Sequence, residues 1–137
     1  MFNKSKFEIF LIAASVGFAI IALISSFAFA LDKKAVETGS LDPGDVIIEL
    51  IPSSYNNGKL TINVSMNTHS ISLGDYDLAK LTVLEYKGKT YKPVKVKSGG
   101  GHHAYGRIVF ELDVEPKGYT ITITGIPKAE NRVFKWN

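Results

Sequence analysis

Histidine is the residue type here with the most chemistry to offer, and the chain has three. His102 and His103 stand together in "SGGGHHAYG", Ser98 to Gly106, and His69 sits in "MNTHSISLGDYDL". Neutral imidazole is the commonest metal ligand among side chains, and three rings suffice to hold copper or zinc. Neighbouring residues of a strand point to opposite faces, but the glycines at 99 to 101 free the backbone, so His102 and His103 need not diverge. His69 follows an alternating run that ends at Met66, and His102 precedes one that starts at Arg107. Two loops at one end of a β-domain would then bring His69, His102 and His103 together. Asp75 and Asp77 are placed to orient an imidazole from behind. Met66 offers a thioether, but its alternation assigns it to the core first.

The competing reading is mechanical. Histidines beside glycine and asparagine bond to loop carbonyls and lock turns, and "NTHS" carries the small polar side chains that make such local bonds. Convergence separates the two. A metal site needs ring nitrogens about 3–3.5 Å apart, because each bond is about 2.0–2.1 Å. A fastening role turns the rings towards loop atoms in different directions.

Other chemistries find little support. The chain has no cysteine, which excludes disulfides, cysteine-based zinc sites, iron–sulfur clusters, thiolate nucleophiles and blue copper. Ser70 and His69 are adjacent, a poor geometry for a nucleophile and its base. Asp75 and Asp77 lack the dense oxygen ligands that calcium needs. "SGGGHH" is flanked by strand patterns, so no helix follows to make it a phosphate loop. "NVS" at Asn63 is a glycosylation sequon in mid-strand. A net charge of +3 is too mild to argue for nucleic acid. The expectation is a protein that is not an enzyme.

The elements that must position the histidines are strands. "LTINVSM" alternates Leu60, Ile62, Val64 and Met66 against Thr61, Asn63 and Ser65. "YTITIT" sets Tyr119, Ile121 and Ile123 against threonines, and "RIVFEL" puts Ile108, Phe110 and Leu112 on one face. "DVIIELI", "AKLTVLEY", "TYKPVKVK" and "RVFKWN" complete the set, with turn signals at "NNG", "KGK" and "EPKG". About seven short strands predict an all-β fold, an immunoglobulin-like β-sandwich over residues 45–137. Phe110, Tyr119, Phe134 and Trp136 are its expected large core residues. Pro93 is expected on an edge strand. Lys87, Lys89, Lys92, Lys95 and Lys97 would keep that edge from pairing with another chain, or form a basic face for an acidic partner or lipid headgroups. "DKKAVETGSLDPGD" reads as a linker over residues 32–44.

Residues 1–31 are expected to be a membrane anchor or signal peptide. Ile9 to Leu31 carry no charge, and about 20 such residues cross a bilayer as a helix. Lys4 and Lys6 precede the run and hold the amino end in the cytoplasm. The run is longer than the roughly 7–15 apolar residues of a cleaved signal, which favours an uncleaved transmembrane helix. Ala28 and Ala30 form a signal-peptidase pattern that would cut before Leu31. Under either reading the remaining chain lies outside the cytoplasm, at the membrane or secreted.

"NTHSISLGDYDL", "GGHHAYGRIVF" and the closing "RVFKW" occur in that order between Asp45 and Trp136. Together they resemble a family of small exported bacterial and archaeal proteins with paired NTHS and GGHH motifs and a C-terminal R-x-F-x-W. The resemblance implies an exported sandwich domain. Asn67, Thr68, His69, Ser70, Gly100, Gly101, His102, His103, Gly106, Phe110, Arg132, Phe134 and Trp136 fall on the motif positions. This chain departs at Ser72 and at "KVKS", where many members have acidic residues or tryptophan. The pairing of the two histidine motifs implies that their loops act together.

Two functions are expected from these readings. In one, a membrane-tethered domain binds copper or zinc through His69, His102 and His103. In the other, it is a non-catalytic accessory subunit of a membrane or cell-envelope complex, and the histidines are structural.

Overall fold

Apolar–polar alternation becomes strand throughout residues 30–137, which the computed structural model describes. The expected N-terminal membrane segment lies almost wholly outside these residues, and no helix among them is long and apolar enough to cross a membrane. Leu31–Asn137 forms one compact unit. Its strands are β1 (Val36–Thr38), β2 (Ile47–Asn56), β3 (Lys59–Asn67), β4 (Thr82–Tyr86), β5 (Lys89–Tyr91), β6 (Lys95–Ser98), β7 (His103–Glu111), β8 (Tyr119–Thr124) and β9 (Asn131–Trp136). A 3-10 turn at Leu73–Asp75 and a single helical turn, α1 (Leu78–Leu81), bridge β3 and β4. Asp77 caps α1 by accepting the Ala79 N–H.

The strands form two antiparallel sheets, one ordered β1-β2-β3-β7-β6 and the other β5-β4-β8-β9. The inward residues of both belong to a single apolar core, which makes the domain an all-β sandwich. Leu60, Ile62, Val64 and Met66 of β3 face Ile121, Ile123 and Phe134 of the other sheet within that core. Phe110, Tyr119, Phe134 and Trp136 are buried, as their positions in the alternation require. Burying a side chain of this size contributes about 1.5–3 kcal/mol, and without disulfides this burial carries the fold. Tyr119 and Trp136 are direct cross-strand partners whose rings stack at 4.9 Å.

The strands exceed the expected set by two, each for a physical reason. First, part of the segment expected to be a linker is strand: β1 pairs along β2, with Val36 opposite Leu50 and Thr38 opposite Ile48. The Trp136 indole N–H donates to the Lys34 carbonyl at 2.8 Å and ties the start of this segment to β9. Second, "TYKPVKVK" is two strands. β5 ends one sheet, β6 ends the other, and Pro93 lies in the crossover between them instead of on an edge strand. Proline has no N–H for a ladder, so the chain changes sheets there. The five lysines of this region are exposed along the two edges.

Candidate functional site

The register of β3 against β7 positions the paired motifs. Met66 lies opposite Ala104, both buried, so Asn67 and His103 are opposite one another on the outer face. β7 therefore begins at His103 and not at Arg107, and His103 belongs to a strand, not a loop. Its Nδ1 is 2.8 Å from the Asn67 side-chain oxygen. The Asn67 amide nitrogen donates to Ser65 Oγ at 3.2 Å. The Asn67 amide oxygen can only accept, so the imidazole Nδ1–H is the donor.

Beyond the strand ends the two loops remain joined through the backbone. The Thr68 N–H donates to the His102 carbonyl at 3.0 Å, and the Leu73 N–H donates to the Gly101 carbonyl at 2.9 Å. Gly100 passes close to Gly74: a Cβ on Gly100 would stand 3.4 Å from the Gly74 Cα. Further along β7, Gly106 has no room for a side chain, since a Cβ there would meet the Lys97 carbonyl oxygen at 1.9 Å.

A third loop joins them. Thr68 is fully buried; its hydroxyl donates to the Asp45 carbonyl at 2.8 Å and accepts the Ser70 N–H at 3.3 Å. Ser70 Oγ accepts the Gly44 N–H at 2.8 Å. The Asp45 carboxylate then reaches across the sandwich to Arg132 of β9 at 2.7 Å. Arg132 faces inward with Phe134 and Trp136, and its buried guanidinium also donates to the Val46 and Pro127 carbonyls at 2.8 and 2.7 Å. Its Nε alone has no hydrogen-bond partner among the described residues. Gly39 makes space for this group, because a Cβ there would lie 1.9 Å from the Val46 carbonyl oxygen and 2.5 Å from Arg132 Nη1. With φ near +92°, the position also disfavours any other residue. Burial pushes the Asp45 pKa up, but bonds from Arg132, the Val46 N–H and Ser40 outweigh it and hold the carboxyl down at about 2.

No family model, curated protein or solved structure matches this chain. The geometry of the cluster is therefore what speaks to function. His103 is committed through its ring and His102 through its carbonyl, while His69 is exposed and its ring makes no hydrogen bond among the described residues. Among the described residues, no group of three or more His, Asp or Glu side chains is placed to hold a metal ion. Asp77 caps α1 and pairs with Lys80 at 3.5 Å, so it orients no imidazole. Met66 is core.

The resemblance put Arg132 on a motif position, but sequence reasoning missed its partner Asp45 and the hub the two form. One signal was legible: the alternation of "RVFKW" puts a charged residue on the same face as Phe134 and Trp136. A cation at an inward position requires a partner.

Proposed function

We propose that this protein is a non-catalytic binding module, carried outside the cytoplasm on an N-terminal membrane segment, in which the histidine motifs fasten loops. One observation carries the reading: the neighbours His102 and His103 are hydrogen-bonded to the neighbours Thr68 and Asn67, and Thr68 is bonded in turn to Asp45, the ion-pair partner of Arg132. The three motifs of the resemblance thus meet in one structural cluster, which supports a role in rigidifying one end of the domain. The uncharged run from Ile9 to Leu31 supports the membrane segment. The strand order supports an immunoglobulin-like topology. β2-β3-β7-β6 follows the A-B-E-D order, and β4-β8-β9 follows C-F-G with β5 added at its edge.

A second reading keeps copper or zinc at His69, His102 and His103. It is favoured by the exposed rings of His69 and His102, which make no hydrogen bond among the described residues. Calorimetric titration of the full chain with Cu(II), Cu(I) and Zn(II), beside a His69→Ala/His102→Ala/His103→Ala variant, separates the two. The module reading expects no tight one-to-one binding in the parent and a lower Tm for the metal-free variant. Tight stoichiometric binding lost in the variant overturns it in favour of the metal.

A further inference from the structure

The outer face of the five-stranded sheet carries an arrangement that the loop cluster does not use. Lys97 of β6 and Arg107 of β7 are directly opposite and both exposed. Like charges in that position repel and destabilise the strand pair. No carboxylate among the described residues pairs with either cation. Two residues before Arg107, and on the same face, Tyr105 is 70% exposed. Its cross-strand partner is Ser65, and that of Arg107 is Asn63. These side chains, with Glu49 beyond Ser65, line a groove of about 620 Å³, within the range of small-ligand sites.

We infer that this groove binds a carboxylate-bearing polysaccharide. The inference rests on the module reading above and names its ligand class. An exposed tyrosine ring offers a flat apolar surface with a polar rim, suited to the C–H face of a sugar. Asn63, Ser65 and Glu49 supply donors and acceptors for ring hydroxyls, and Arg107 with Lys97 supplies the paired cations that a carboxylate completes. The charge pattern favours a glycan over a flat anionic bilayer. Glu49 stands in the groove and is paired with Glu37 in the next strand, so a lipid surface would meet repulsion on the β1–β2 side. A hydroxylated chain uses acid and base alike.

The test measures binding of the full chain, in mild detergent with a chelator, to polygalacturonate, alginate and hyaluronate, and to methyl-esterified polygalacturonate. Binding to at least one acidic polymer is expected, with a loss of at least tenfold for Tyr105→Ala and for Arg107→Gln, and near-parental binding for Tyr105→Phe. Esterification should weaken polygalacturonate binding by the same order if that polymer is bound. Absence of binding to all three acidic polymers overturns the inference. So does binding that Tyr105→Ala leaves unchanged, which marks simple ion exchange, or stronger binding to phosphatidylglycerol vesicles. Near-ultraviolet circular dichroism of each variant checks that it is folded. Failure here leaves the module reading standing, whereas metal binding at the histidines would overturn that reading without altering the polysaccharide result.

Discussion

Asp45 and Arg132 lie 2.7 Å apart across the sandwich, one at the entry to β2 and the other inside β9, and they are the only ion pair among the described residues with both side chains largely withdrawn from water. Each has further partners. Asp45 accepts from the Ser40 and Val46 N–H groups at 2.9 and 2.7 Å, and Arg132 donates to the Val46 and Pro127 carbonyls. The pair closes the end of the domain where the NTHS and GGHH loops meet.

The two partners should not be equivalent to mutation. Asp45→Ala strands a guanidinium that is 2% exposed and should cost about 3–5 kcal/mol. Arg132→Met leaves a more accessible carboxylate with amide and hydroxyl donors and fills the inward position with an apolar side chain, so its cost should be lower, about 1–2 kcal/mol. Urea unfolding of both variants measures the asymmetry.

Acid should act through the same pair. The Asp45 carboxyl is depressed from 3.8 to about 2 in the fold, so the unfolded chain binds the proton first as pH falls. The associated stability, on the order of 2 kcal/mol, is present above about pH 4 and lost as pH drops towards 2. Urea midpoints from pH 6 to pH 2 should show this loss in the parent and a shallower one in Arg132→Met.

Thr68 is a buried hydroxyl with two hydrogen-bond partners. Thr68→Val keeps the shape and removes both bonds, leaving the Asp45 carbonyl and the Ser70 N–H unpaired; a cost of about 1–3 kcal/mol is expected. Thr68→Ser should retain most of the stability. Thermal unfolding of the two variants side by side provides the check.

Gly39 lies in the segment whose composition reads as a linker. A true linker glycine tolerates alanine. Here the added Cβ would overlap the Val46 carbonyl and crowd Arg132, so Gly39→Ala should cost about 2–4 kcal/mol. Hydrogen exchange should show β1 opening in this variant before the centre of the sheet.

The alternation in "LTINVSM", "YTITIT" and "RVFKW" determined by itself which residues enter the core, because a strand has a period of two and a slip of one residue would turn its apolar face to water. The turn at Asn56–Gly58 was legible for the same local reason. What the tertiary structure decided was non-local. Whether "VET" is linker or strand depends on a partner, β2, having a free edge. Whether "TYKPVKVK" is one strand or two depends on two sheets ending where it passes. The histidines depended most on tertiary context. Spacing allowed His69, His102 and His103 to converge, but pairing Asn67 with His103 committed one ring to an amide, and backbone bonds from Thr68 and Leu73 joined the loops without any ring. The burial of Arg132 was foreshadowed by its inward position. Its partner was not, because Asp45 is 87 residues away in the chain and only the packing of two sheets brings it near.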